Sequence, residues 1–343
     1  MSALILPLEI YTHIYSFLNT NEEFIFFLST SKKLHKFKSK FWYNKTYFDY
    51  YHLPRKLIYK DCIQSTISVL GRKCLEKLPK NITHLYVLDM GDLKKGDIPS
   101  HVHFITIGIC NVSIVCHIIP STVKKLHFHG FYNWRLEKDA IPFGVKEIKF
   151  GKEFNQKIPK GIIPSSVERI TFGYKFNQPI YPGDLPEGIT HVTFGDKFNQ
   201  RIYPNTLPQT LTYLSFGNDF NGITDPKCIP DSVTHLTMHF KSDTLSSEIF
   251  PPKLTHLTYN GFVNSVFPIV LPLTLRSITF GKYFNYPLED LCLSDSIESI
   301  TFGLGYGQDI GPDFLPKKLK NIHVSETFDN LIQVPESVTV SYY

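Results

Sequence analysis

From Pro79 onward the chain repeats itself every 20 to 22 residues. The beat is carried by Pro79, Pro99, Pro120, Pro142, Pro164, Pro186, Pro208, Pro230, Pro251 and Pro272, then Ser294, Pro316 and Pro335, with a last step of 19 residues. Thirteen units on so constant a period restrict the chain to a solenoid or a propeller. A unit this short cannot bury its own apolar side and must stack on its neighbours.

Each unit has the same internal order. Three residues after the proline stands an aliphatic, as in Val145, Val167, Ile189 and Leu211. Three further on comes another, as in Ile170, Val192 and Leu214, and two beyond that a large apolar residue, as in Phe172, Phe194 and Phe216. The alternation Ile170-Thr171-Phe172 has period two and reads as a short, half-buried strand. Proline just ahead of it interrupts no ladder hydrogen bond. Then follows Gly-x-x-Phe-Asn, at Gly151 to Asn155, Gly173 to Asn177, Gly195 to Asn199, Gly217 to Asn221 and Gly281 to Asn285. Glycine is expected to let the chain leave the strand at an unusual backbone angle. The phenylalanines are expected to stack as a spine, and the asparagines to bond backbone groups at the turn. One parallel strand per coil at about 4.8 Å gives a rod or arc on the order of 60 Å long. The last unit, from Pro335, lacks the Gly-x-x-Phe-Asn part and is expected to cap the stack. This pattern also accounts for the 28 phenylalanines among the 343 residues.

The string Val/Ile/Leu-x-x-Ile/Leu-Thr-Phe-Gly-x-x-Phe-Asn resembles the FNIP repeat, a relative of leucine-rich repeats found in slime-mould and giant-virus proteins. The resemblance covers 78–343 and implies a leucine-rich-repeat-like solenoid with no cofactor and no chemistry of its own.

Residues 1–45 stand outside the repeat. Ile10, Ile14, Phe17 and Leu18 have helical spacing, Phe24, Phe27 and Leu28 continue it, and Pro7 suits a helix start. The order Leu-Pro-x-Glu-Ile-x-x-x-Ile-x-x-Phe-Leu, then Ser-x-Ser-Lys-x-Leu, then Trp, resembles an F-box. That family is a helical module that docks a Skp-type adaptor of cullin–RING ubiquitin ligases. Carried over, the resemblance makes Leu6, Pro7, Glu9, Ile10, Ile14, Leu18, Leu34 and Trp42 the adaptor-binding residues. Residues 46–77, rich in Tyr47, Phe48, Tyr50 and Tyr51, read as a packed helical connector. The fold class expected from the whole chain is therefore α+β: a small helical module, a connector, and a β-rich solenoid over 78–343.

Two function classes follow. In the first, the chain is the substrate-recognition subunit of a ubiquitin ligase, with an unidentified protein target on the solenoid. In the second, it is an interaction scaffold whose N-terminal helices only cap the stack. The variable outward strand positions are where a target would bind, and Lys125, His127, Lys149, Arg169 and Tyr213 are the candidates. No nucleophile elbow, P-loop, dinucleotide fingerprint or metalloprotease motif occurs, so no enzyme is expected. His235 and His256 fall at equivalent positions of adjacent coils, but no third ligand is evident and no metal is expected. A net charge of +5 is too mild to call for nucleic acid, and no run of apolar residues is long enough for a membrane span. Six cysteines with no C-x-x-C pair and a start without a basic leader fit a cytoplasmic protein, or a nuclear one.

Overall fold

The structure, a computed structural model, describes residues 66–70, 75, 82–90, 93–108, 113–221, 226–239, 247–261 and 271–343. These form a single sheet of 14 strands in which every strand pairs in parallel with the next along the chain. The strands are β1 (Thr66–Leu70), β2 (His84–Asp89), β3 (Phe104–Ile107), β4 (Lys125–Phe128), β5 (Glu147–Lys149), β6 (Arg169–Thr171) and β7 (His191–Thr193). They continue as β8 (Tyr213–Ser215), β9 (His235–Met238), β10 (His256–Tyr259), β11 (Ser277–Phe280), β12 (Ser299–Thr301), β13 (Asn321–Val324) and β14 (Thr339–Tyr342). Among the described residues, four three-residue 3-10 turns, such as Leu288–Asp290 and Pro312–Phe314, lie on the return side of the coils.

The α+β expectation is corrected by this architecture. The described residues are a parallel β-solenoid without an α-helical element. The module read as helical over 1–45 lies outside the described residues. Strand β1 falls inside the segment read as a helical connector, so over Thr66–Leu70 a strand stands where a helix was expected.

The register explains the repeat column by column. Arg169 pairs with His191, Ile170 with Val192 and Thr171 with Thr193, and the same alignment runs from β2 to β14. From β2 to β13 a central aliphatic points inward and is buried, as at Ile148, Ile170, Val192 and Leu214. The proline closes a turn with its carbonyl: the N–H of Val167 donates to Pro164 O, and that of Ile189 to Pro186 O, both at 3.1 Å. Only the carbonyl is needed, which is why Ser294 can replace proline and still accept from Ile297 at 3.1 Å.

Two phenylalanine columns form the spine. Within a coil, Phe194 and Phe198 stack at 4.0 Å. Between coils, Phe172 and Phe194 lie 5.3 Å apart, and Phe176 and Phe198 6.0 Å. Asparagine makes a second ladder outside them. Asn155 Oδ1 accepts from the Asn177 N–H at 2.9 Å, and Asn177 Oδ1 from the Asn199 N–H and the Gln200 side chain, both at 3.0 Å. Each bond crosses to the next coil, so the turn is tied between coils as well as closed within one.

The glycines of Gly-x-x-Phe-Asn do not serve the purpose expected of them. None has a left-handed backbone. Glycine is required there because the coils touch: a Cβ built on Gly195 comes within 2.5 Å of the Gly173 carbonyl carbon and 2.9 Å of Tyr174 Cα. The left-handed backbone belongs to a different column, made of Gly96, His117, Asp139, Gly161, Gly183 and Asn205, with φ between 62° and 91°.

Candidate functional site

Two columns of side chains leave the outer face of the sheet, one from the first residue of each strand and one from the third. The central residue between them is committed to the core, so these two columns form the outer face. In the first stand His84, Phe104, Lys125, Glu147, Arg169, His191, Tyr213, His235 and His256, and in the second Tyr86, Thr106, His127, Lys149, Thr171 and Thr193. From Thr171 to Thr301 the second column holds only threonine and serine, which is good exposed-strand chemistry.

The five residues expected to bind a target all lie on this face. Lys125, His127, Lys149 and Arg169 occupy the adjacent strands β4, β5 and β6, and Tyr213 sits two strands further on, on β8. Glu147, which the pattern alone did not single out, organises the first group. It meets Lys125 Nζ at 3.2 Å and His127 Nε2 at 2.9 Å. Burial pulls the Glu147 carboxyl upward, but the hydrogen bonds from His127 and Lys125 together outweigh it and hold it below the usual carboxylate range. Burial lowers His127 more than Glu147 raises it. The contact is thus a neutral imidazole donating its Nε2–H to a carboxylate, rather than an ion pair. Among the described residues Lys149 and Arg169 are in no ion pair, and both are exposed.

Further along, the rings form a ladder. His191 and Tyr213 stack at 5.5 Å, Tyr213 and His235 at 6.3 Å, and His235 and His256 at 4.1 Å with planes 6° apart. Sequence spacing places His235 and His256 together, and the structure does so. Their parallel planes send the ring lone pairs side by side, so the two cannot converge on one ion, and no group of three or more metal-ligating side chains occurs among the described residues.

A threonine fixes the tautomer of each of these histidines. Thr234 Oγ1 donates to Thr212 O at 3.2 Å, so towards His235 Nδ1, 2.9 Å away, it can only accept. Nδ1 therefore carries the proton. The same pair of bonds recurs at Thr190 with His191 and at Thr255 with His256. Burial lowers His191, with Arg169 adding to it, and burial lowers His235, with His256 and His191 adding to it. In the neutral ring of each, Nδ1 carries the proton and Nε2 is left as an acceptor. The signal in the sequence was threonine immediately before histidine, repeated at coil spacing.

The eight residues expected to contact an adaptor, Leu6 to Trp42, lie outside the described residues. No helix among the described residues is long and apolar enough to cross a membrane.

The FNIP Repeat family matches residues 132–175, 176–219, 264–305 and 284–327. Among solved structures, the chain is similar to CroV588, described as a novel circular LRR protein. Identity is 30%, the TM-score is 0.68, and the match covers 81% of this chain and 43% of that one. The chain thus spans less than half the length of that protein. A leucine-rich repeat protein from Bacteroides ovatus is 14% identical over 75% of this chain and 66% of that one, with a TM-score of 0.21. No curated protein matches. The chain carries FNIP repeats, wound into a solenoid of the leucine-rich-repeat kind.

Proposed function

We propose that this protein is a non-catalytic interaction scaffold that holds a protein target on the outer strand face. More specifically, we read it as the target-binding subunit of a ubiquitin ligase, recruited through the F-box-like residues Leu6 to Trp42. Solenoids of this type are typically binding modules, since their stacked repeats present one long surface. The observation that carries the proposal is the division of labour within each strand. The central column repeats without variation in character, whereas the outward columns vary and hold the exposed Lys149 and Arg169, in no ion pair among the described residues, beside an imidazole row. The ligase reading rests on the sequence resemblance over 3–45. A receptor of this kind acts by raising the effective concentration of target lysines near the ligase.

Two pairs of substitutions separate the claims. Full-length protein is used to capture partners from cells with a Skp-type adaptor co-expressed. The double variant Lys149→Glu, Arg169→Glu is expected to lose captured targets and keep the adaptor. The double variant Ile10→Asp, Leu18→Asp is expected to do the reverse. Adaptor recovery that is absent, or indifferent to Ile10 and Leu18, rejects the ligase reading and leaves the scaffold. Target recovery indifferent to Lys149 and Arg169 rejects the scaffold on this face.

A further inference from the structure

The outward strand face has an unusual balance. Across its two columns from β2 to β14 the only carboxylate among the described residues is Glu147, already engaged by Lys125 and His127. Six of the chain's 14 histidines stand in those columns. We propose that the face from β4 to β10 docks an extended acidic polypeptide segment, and that docking draws protons onto His191, His235 and His256, so that binding tightens as the medium acidifies. The proposal rests on the scaffold reading above and names the chemistry of its partner.

Charge complementarity sets the sign. Lys149 and Arg169 are exposed with no carboxylate bound among the described residues, so a partner's carboxylates can pair with them. The ring geometry sets the kind of partner. A platform for nucleobases or sugars must offer open ring faces. Here the faces are spent on one another, most closely at His235 and His256, so a partner meets ring edges. Edges offer hydrogen bonds, which a peptide carboxylate uses and a stacked base does not.

The fixed tautomers supply the proton dependence. With Nδ1–H committed to threonine, Nε2 of His191, His235 and His256 is an acceptor with no hydrogen-bond partner among the described residues. It cannot bond a carboxylate until it gains a proton. The groups facing these rings are Arg169 from β6, Tyr213 from β8, and each other, with Ser277 closing the row on β11. The second column is uncharged there. Glu168 and Arg276, one position ahead of the strands, are paired with Lys146 and Glu298. No carboxylate among the described residues therefore favours protonation of the row, and burial lowers His191, with Arg169 adding to it, and His235, with its neighbouring histidines adding to it. An acidic partner reverses that balance.

Lys125 and His256 are six coils apart, about 29 Å at the usual strand spacing, which an extended segment of roughly nine residues spans. The test uses full-length protein and a fluorescent 12-residue peptide alternating Glu and Ser, read by anisotropy at pH 5.5 and 7.5. The controls are a Gln-Ser peptide and a 12-nucleotide oligo-dT. The acidic peptide is expected to bind at least about tenfold tighter than the neutral one, in proportion to the charges it pairs. Uptake of about half a proton over two pH units makes binding about tenfold tighter at pH 5.5. The variant His191→Asn, His235→Asn, His256→Asn should flatten the pH dependence, whereas Lys149→Glu, Arg169→Glu should weaken binding at both pH values and keep the slope. Should the triple variant fold poorly by circular dichroism, proton NMR titration of the wild-type imidazoles with and without peptide gives the same answer, an upward shift on binding. Equal affinity for the Gln peptide, tighter binding of oligo-dT, or a pH slope unmoved by loss of the histidines overturns the inference. If the peptide fails while Lys149 and Arg169 still govern capture from cells, the scaffold reading stands and this one falls. If neither holds, both fall.

Discussion

A methyl group placed on Gly195 offers a sharp test of the packing argument, because three glycines in this chain stand in three different environments. In Gly195→Ala the new Cβ falls 2.5 Å from the Gly173 carbonyl carbon and 2.9 Å from Tyr174 Cα, both backbone atoms of the previous coil. Ordinary carbon–carbon contact needs roughly 1 Å more. No side chain can swing aside, so the two coils must part locally. The bonds nearest the wedge are Phe172 N–H to Thr193 O at 2.8 Å and Lys197 N–H to Tyr174 O at 3.0 Å. Losing both forfeits about 1 kcal/mol each, more if a group is left buried and unpaired. Opening the Phe172–Phe194 and Phe176–Phe198 stacks adds the usual penalty of an overpacked core, about 1–3 kcal/mol. The expected loss is about 3–5 kcal/mol.

Two other glycines supply the controls. Gly161 has φ of +87° and open space around a built Cβ, so Gly161→Ala should cost only the left-handed backbone penalty, about 1–2 kcal/mol. Gly130 has neither constraint, and Gly130→Ala should be neutral or stabilising by up to about 1 kcal/mol through the unfolded chain. Urea unfolding followed by circular dichroism reads all three. The Gly195→Ala midpoint should fall on the order of 1–2 M, given the urea dependence common for chains of this size. A repeat array unfolds by units, so the transition touching the central coils is the one compared. If Gly195→Ala and Gly130→Ala unfold together, close approach of the coils is not why glycine is there.

Three further outcomes follow from single side chains. Asn177→Ala removes the acceptor for the Asn199 N–H and the Gln200 amide and should cost about 1–2 kcal/mol in urea unfolding, whereas Asn177→Asp keeps an acceptor oxygen and should cost less than half as much. Tyr306 stands in the phenylalanine spine with its ring centre 4.0 Å from that of Phe302, its buried hydroxyl has no partner among the described residues, and burial followed by the nearby Asp309 pushes its phenol far up. Tyr306→Phe should therefore raise stability by about 1 kcal/mol, and a lower urea midpoint would contradict it. His84, stacked on Phe104 at 3.7 Å, is lowered to about 4 by burial and then by His127. Between pH 4 and 6.5 the unfolded chain binds a proton there that the folded chain refuses, so this stability is complete above 6.5 and is lost as pH falls towards 4. The gap corresponds to about 3 kcal/mol unscreened and about 1–2 after allowing for solvent at the exposed edge of the ring. His84→Phe should lose that much less than wild type between pH 7 and 4.5, and equal losses would refute the assignment.

Much of this fold is legible in the sequence because a solenoid makes each coil obey the same constraints as its neighbours. The strand, the spine and the asparagine ladder each place one residue type at one position, and a coil period makes the columns visible. What escaped has a physical reason in each case. Strand β1, over Thr66–Leu70, follows no proline and leads into no Gly-x-x-Phe-Asn, so it stands outside the pattern although it pairs with β2. The left-handed column alternates between Gly, His, Asp and Asn, residues that tolerate the same φ by different means, and no single letter marks it. Glycine after a strand commonly serves an unusual backbone angle, whereas contact between coils is a property of two units and is invisible within one.

The candidate site shows the same limit from the other side. Its residues were nameable as outward positions, since alternation fixes which side chains leave the core. Which of them act together was not, because Glu147, His127 and Lys125 come from two strands, and His235 meets His256 across 21 residues of chain. In a stacked array the functional unit runs across the repeats, perpendicular to the direction in which the sequence is written. A partner would read the columns, one residue from each coil. Conservation of character along a column marks architecture where the column faces inward. Where it faces outward, as in threonine followed by histidine at 190, 234 and 255, repetition multiplies one local device, an imidazole held in one tautomer, into a surface. A single such histidine is ordinary surface chemistry. Its repetition at coil spacing, beside Lys149 and Arg169, which no carboxylate among the described residues engages, gives this face an unmet electrostatic demand.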